Sequence, residues 1–174
     1  MITERFPVHA LLAVAALTLS SCEKSGSIAG GGVGNDYSVA RQALETGNYS
    51  LAIRRYEGLL TRVSAHSAGR LQLEYAHSLL RSNRFSEAIQ ATEVLVHRPD
   101  DPILGLALAV RGTARHELAR QTLERGEHDA RTRLLLEGAR DDLAHFLGSY
   151  GALDSGGSMR ARSQLVLSDL GQIS

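Results

Sequence analysis

The amino-acid sequence predicts an all-α fold, built from about three helical hairpins and a C-terminal helix that caps them. Three observations lead there. From Asp36 onward apolar residues recur at helical spacing, and no alternating stretch is long enough for a strand. Helix breakers are scarce, because only Pro99 and Pro102 of the chain's three prolines fall in this region. The sequence also repeats itself at a period of 36 residues.

Composition sets the outer limits. Of 174 residues, 43% are hydrophobic and 22% charged, ordinary proportions for a globular domain. Nineteen Lys plus Arg balance nineteen Asp plus Glu, so no surplus of cations is available to displace phosphate counterions. With no Trp and few other aromatics to stack bases, nucleic acid is not an expected partner. The single cysteine, Cys22, excludes both an intrachain disulfide and a thiolate zinc site.

Three segments are expected. Residues 1–21 read as a signal peptide: Arg5 in a short start, an apolar run of ten from Ala10 to Leu19, then Ser20-Ser21 before Cys22. A transmembrane helix needs about 20 apolar residues, so this run is too short to span. Residues 22–35 form the second segment, in which Glu23 to Asn35 (EKSGSIAGGGVGN) is rich in Gly and Ser and should act as a flexible tether. Thirteen such residues have a root-mean-square span of about 20 Å. Gly30 to Gly34 is followed by neither the Lys-Ser/Thr of a phosphate loop nor a spaced dinucleotide pattern, so no nucleotide cofactor is expected. Residues 36–174 are the helical domain.

Leu19-Ser20-Ser21-Cys22 resembles the bacterial lipobox. That resemblance implies cleavage before Cys22, a diacylglycerol on its sulfur and a further acyl chain, such as palmitate, on its freed amine. More than one chain is needed for stable membrane attachment, since one acyl group binds only marginally. Glu23, where Asp commonly retains lipoproteins in the inner membrane, implies transfer to the outer membrane with the domain in the periplasm.

The hairpins can be read from the repeat. Ala40, Leu44, Gly47, Tyr49, Ser50, Ala52, Ile53, Tyr56, Leu59 and Leu60 correspond, 36 residues on, to Ala76, Leu80, Asn83, Phe85, Ser86, Ala88, Ile89, Thr92, Leu95 and Val96. Gly47 and Asn83, the residue types best able to adopt a left-handed conformation, should end a first helix. Ser50 and Ser86 are the expected N-caps of a second. Ala52 and Ala88 are small where helices must cross, and Tyr49 and Phe85 fill the space beside the turn. One hairpin cannot cover its own apolar face, so neighbours stack.

A small residue in the first helix, Gly and an aromatic at the turn, Ala early in the second helix and an aromatic a turn later together resemble the tetratricopeptide repeat (TPR). Unit one supplies Ala40, Gly47, Tyr49, Ala52 and Tyr56; unit two supplies Ala76, Phe85, Ala88 and Pro99. Unit one lacks the terminal Pro, Thr92 replaces an aromatic, and the period exceeds the usual 34, the extra residues being expected between Ser64 and Gly69. In unit three Asp101 and Pro102 should start a helix as N-cap and first helical residue. About fifteen residues, roughly 120–134, are inserted and should lengthen both helices. Asp129 or His128 should begin the returning helix, 148–157 should end it, and Ser158 to Leu170 should form a capping helix with a polar back.

Chemistry is sparse. His9, His66, His77, His97, His116, His128 and His145 form no HExxH or other close ligand pair, so no metal is expected. Glu93 with His97, and Asp141 with His145, read as ordinary surface pairs on one helix face. No G-x-S-x-G elbow occurs, and the adjacent Asp141 and Asp142 must point to different faces. An enzyme is not expected.

The TPR resemblance instead implies a groove for a protein or peptide partner, lined by Tyr37 and Arg41, then Arg70, Leu73, His77 and Arg81, then Thr113. Such a groove would grip a peptide through apolar contact and Arg–carboxylate bonds. The whole looks like the small TPR lipoproteins of pilus assembly or secretion, implying an adaptor in an envelope machine. Alternatives are a component of outer-membrane protein assembly, or an envelope enzyme or metal carrier. The sequence leaves oligomeric state open.

Overall fold

The computed structural model describes residues 32–64, 68–98 and 102–173. The signal peptide, Cys22 and most of the tether lie outside them, as do His66, Pro99 and Asp101. Among the described residues seven α-helices follow one another: α1 (Val33–Glu45), α2 (Tyr49–Leu60), α3 (Ala68–Arg81), α4 (Phe85–Val96), α5 (Leu104–Glu124), α6 (Ala130–Tyr150) and α7 (Ser158–Gln172). A 3-10 turn, Gly151–Leu153, precedes α7. Each helix packs on the next, and α5 also touches α3 and α7. This is an all-α array of sequential hairpins, consistent with a helical solenoid. None of these helices is long and apolar enough to cross a membrane.

Three hairpins turn by the same backbone device. Gly47 (φ 80°), Asn83 (φ 61°) and Gly126 (φ 77°) each take the left-handed conformation just past a helix end. At each, the next residue's N–H reaches back across the turn: Asn48 to Ala43 O at 2.8 Å, Arg84 to Leu79 O at 3.0 Å and Glu127 to Thr122 O at 3.0 Å. The left-handed residue's own N–H closes the inner bond, to Leu44, Leu80 and Leu123 respectively. These paired bonds satisfy carbonyls that a helix C-terminus would otherwise leave open.

This geometry corrects the expected N-caps. Ser50 and Ser86 lie inside α2 and α4, because the residue that closes one helix also opens the next. Asn48 donates its N–H to α1 and accepts from Leu51 N at 3.3 Å through its side chain as the N-cap of α2. Arg84 occupies the same place before α4 without a side-chain cap. Where the turn is longer, Asp129 caps α6 through Thr132 N at 2.8 Å, one of the two expected starts. Pro102 lies in a turn before α5 and Ile103 is the N-cap, so Pro102 is not the first helical residue. At the other end α1 takes in Val33 to Asn35, the last residues of the expected tether. Asp36 then falls in its first turn, where the helix dipole favours an anion, and pairs with Arg55 of α2 at 2.9 Å and with Arg62, just beyond the end of α2, at 2.6 Å. Arg62 first, with Arg55, holds its carboxyl below the usual range against the opposing effect of desolvation.

Small residues mark the crossings. Ala40, Ala52, Ala76 and Ala88 are all completely buried, in a core with Ile53, Tyr56, Leu59, Leu79 and Leu95. The third hairpin is longer, with 21 residues in each helix against 12 to 14 in the first four, as the insertion predicts. Its helices interlock at a spacing of seven: Gly105 against Tyr150, Gly112 against Leu143, and Ala119 in one cluster with Leu136. A Cβ on Gly105 would lie 2.6 Å from the Tyr150 ring, and one on Gly112 3.0 Å from Leu143 Cγ.

Helix α7 closes this hairpin by burying Val166 against Ala119, Leu136, Ala139 and Leu143. Its N-terminus is capped from a distance, since Asp154 accepts from Met159 N and Arg160 N, both at 3.0 Å. Those bonds hold the Asp154 carboxyl below its usual pKa. The back of α7 departs from the expected polar surface, with Leu165 and Leu167 both 54% exposed.

Replacing Gly105 with Ala should destabilise the chain by about 1–3 kcal/mol, because the Tyr150 ring must move. Gly148→Ala, on α6 with open space at its Cβ, should instead add about 0.5–1 kcal/mol. Urea unfolding followed by circular dichroism measures both. Equal effects of the two changes would mean that α5 and α6 do not cross as described.

Candidate functional site

One face of the array is formed by α1, α3 and α5. Its lining residues recur at the repeat period: Tyr37, Leu73 and Ala109; Arg41, His77 and Thr113; Glu45, Arg81 and Glu117. Arg70 and Leu106 form a further pair 36 apart. Three adjoining depressions run along this face. The first, of about 350 Å³, is bounded by Arg41, Arg70, Leu73, Glu74, His77, Ile103, Leu106, Ala109 and Val110. Arg41 and His77 continue into the second, with Leu44, Glu45, Tyr49 and Arg81. Arg81 leads into the third, with Thr113, Glu117 and Arg162. Of the seven expected groove residues, six border these depressions.

Tyr37 is the exception. Its hydroxyl donates to Glu74 Oε1 at 3.2 Å. Glu74, buried in α3, is the hub of this end of the face: Oε1 also accepts from Arg41 at 2.9 Å and Arg70 Nε at 3.0 Å, and Oε2 accepts from Tyr56 at 2.9 Å. A buried carboxylate is tolerable only when its lone pairs are met in this way. Arg41 additionally meets Glu45 at 2.7 Å. Glu45 first and then Glu74 hold the Arg41 guanidinium protonated, and the Glu74 bond does the same for Arg70. Burial, reinforced by Glu74, pushes the Tyr56 phenol well above its usual pKa.

The arginines therefore divide by role. Arg41 and Arg70 are committed to Glu74, as structural clamps whose remaining edges face the depression. Arg81 is exposed, lies 5.3 Å over the Tyr49 ring and has no carboxylate partner among the described residues. His77, beside it, is held below its usual pKa by desolvation and then by Arg81, with Glu74 opposing. It is neutral near pH 7 and can donate or accept.

Leu73 apart, the apolar part of the site was missed from sequence. Leu106, 44% exposed, and its neighbours Ile103, Ala109 and Val110 supply the far wall of the first depression. Shifting Arg70 and Leu73 by 36 residues reaches Leu106 and Ala109, so the repeat itself carried the signal. Glu74 has no such signal, since Ser38 and Val110 stand at its equivalent positions.

Other candidates resolve as surface or structural groups. His97 pairs with Glu93 at 3.7 Å, and the His145 ring lies tilted beside that of Tyr150, with 6.1 Å between centroids. Asp141 is exposed and pairs with Arg140. Asp142 is buried, and takes Arg111 through both oxygens at 2.9 and 2.6 Å and Arg115 at 2.8 Å. The two neighbours thus point to different faces, as expected. Among the described residues no group of three or more His, Cys, Asp or Glu could hold a metal ion.

The geometry defines a class: a chain of stacked α-hairpins with one lined face. Comparison with protein-family models, with curated proteins and with solved structures found no match.

Changing Glu74 to Ala should cost about 1–3 kcal/mol, because it leaves the buried Tyr56 hydroxyl unpaired, while Arg41 and Arg70 reach solvent. Tyr56→Phe, which removes one donor, should cost about 1–3 kcal/mol. Chemical denaturation gives both values. A Glu74 variant as stable as the parent would contradict the role of the hub.

Proposed function

We propose that this chain is a lipid-anchored TPR-type adaptor, whose α1–α3–α5 face binds a protein partner in a bacterial envelope machine such as one for pilus assembly or secretion. The observation that carries the reading is the coincidence of repeat and surface. Residues 36 apart in the first helix of three successive hairpins line a single face, the arrangement by which stacked hairpins present a binding surface. Its chemistry suits a segment offering an aliphatic or aromatic side chain to the Leu73–Leu106–Val110 wall and a carboxylate to Arg81, the guanidinium left without an acidic partner.

The anchor rests on Leu19-Ser20-Ser21-Cys22 and the polar tether behind it. Acylated Cys22 would tether the start of α1 through ten residues, a root-mean-square span of about 17 Å, on the periplasmic side and, given Glu23, at the outer membrane. The array itself needs neither cofactor nor metal for this task.

Arg81→Glu and Leu106→Asp should each reduce co-purification of the partner from detergent-solubilised envelopes by at least about tenfold, equivalent to about 1.4 kcal/mol. Arg140→Glu, on the exposed side of α6, should leave it unchanged. Identical partners for all three variants would remove the α1–α3–α5 face as the site. Separately, Cys22→Ala should abolish palmitate incorporation and leave the chain folded but released or misplaced. Continued labelling and membrane fractionation would remove the anchor.

A further inference from the structure

Outside this face His116 is a titratable group fixed at both ring nitrogens. Its side chain is completely buried in α5, yet both ring nitrogens are bonded to α7. Nε2 lies 2.9 Å from Asp169 Oδ2, and Nδ1 lies 3.1 Å from Arg162 NH1. A guanidinium can only donate, so Nδ1 must accept, and the proton of the neutral ring sits on Nε2 and is donated to Asp169. One tautomer of one protonation state satisfies both contacts. Arg162 is held in place from its other side by Glu117 Oε1 at 2.7 Å.

We propose that neutral His116 is a latch fastening α7 to α5, and that protonating it in mildly acidic surroundings loosens α7 from the array. An imidazolium has a donor at both nitrogens, so the Nδ1–Arg162 bond is lost and two cations face each other at the former bond distance. Asp169 favours the cation, but burial and Arg162 oppose it, and burial is the largest influence, holding the His116 pKa below its ordinary value of 6.5. The charged groups that act on the ring are Arg162 and Asp169 of α7 and Glu117 of α5. Elsewhere around α5, Asp142 of α6 and Glu93 of α4 are engaged by Arg111 and Arg115, and Arg81 of α3 lies over Tyr49. The layer beside the latch, formed by Ala119, Leu136, Ala139, Leu143 and Val166, carries no charge to compensate an imidazolium.

The sign follows from proton binding. Between the unfolded pKa and the lowered folded one, the unfolded chain binds more protons than the docked helix. The latch is therefore at full strength above about pH 6.5 and weakens as the pH falls through the folded value. Arg162 and Glu117 also wall the third depression, so the latch and the lined face share side chains.

Hydrogen exchange of the full chain at about pH 7.5 and about pH 5, corrected for intrinsic rates, reads the latch directly. Opening of the α7 amides should rise at least about tenfold more than that of α1 to α4 on acidification. In His116→Gln, which can still donate to Asp169 and accept from Arg162 but cannot titrate, α7 should follow the other helices at both pH values. Unchanged relative protection of α7 in the parent, or the same acid response in His116→Gln, would overturn the proposal. Should the variant fold poorly, imidazole nitrogen shifts of the parent decide. A proton on Nε2 near neutrality and a midpoint below the ordinary value are expected, and a proton on Nδ1 or a midpoint at or above 6.5 would overturn it.

Discussion

Two helices approach closely only where at least one presents small side chains, and most of this structure depends on where those residues fall. Ala40, Ala52, Ala76 and Ala88 let the first four helices cross with no exposure of the crossing points. Gly105, Gly112 and Ala119 do the same for the longer α5, each opposite a larger residue of α6. Because these positions recur in register with the left-handed turn residues Gly47 and Asn83, successive hairpins stack at a constant offset. The offset brings residues 36 apart onto one face. Had the crossings been bulky, the helices would stand further apart and the depressions between α1, α3 and α5 would lose their walls.

Apolar crossings fix distance but leave helices free to slide, and three buried polar clusters remove that freedom. Glu74 joins α1, α2 and α3 through Tyr37, Arg41 and Tyr56. Asp142 and Glu93 join α6 and α4 to α5 through Arg111 and Arg115. His116 joins α5 to α7. Each would be costly with a partner missing, since an unsatisfied buried charge carries its full desolvation penalty. Among the described residues no buried side-chain nitrogen or oxygen lacks a hydrogen bond. Geometric specificity therefore comes from these clusters more than net stability does.

The contrast explains what could be read from sequence. Helices, hairpins and turn residues leave periodic traces, so Gly47, Asn83, the lengthened third hairpin and Asp129 were legible, and six of the seven expected face residues border the depressions. Local rules failed where one residue serves two helices. Ser50 and Ser86 look like caps, but the paired bonds of the turn pass that role to Asn48 and Arg84. The clusters were illegible for another reason: Glu74, Asp142 and His116 each occur once, and apart from Arg70, four residues from Glu74, their partners lie 18 to 53 residues away. For the same reason Tyr37 and Arg41 read as free groove residues, whereas both are bonded to the Glu74 carboxylate.

A face built this way places its apolar wall, Leu73 with Leu106 and Val110, beside the exposed Arg81, and in the function we propose the tether from Cys22 presents it near a membrane. Site-specific photocrosslinking in intact cells tests this most directly, with a photoreactive residue placed at Leu106 on the lined face or at Val94, which is 56% exposed on α4 and borders none of the depressions. The account predicts a discrete crosslinked protein from position 106, lost on adding Arg81→Glu, and none from position 94. Crosslinking from 94 alone, or equally from both positions, would contradict it.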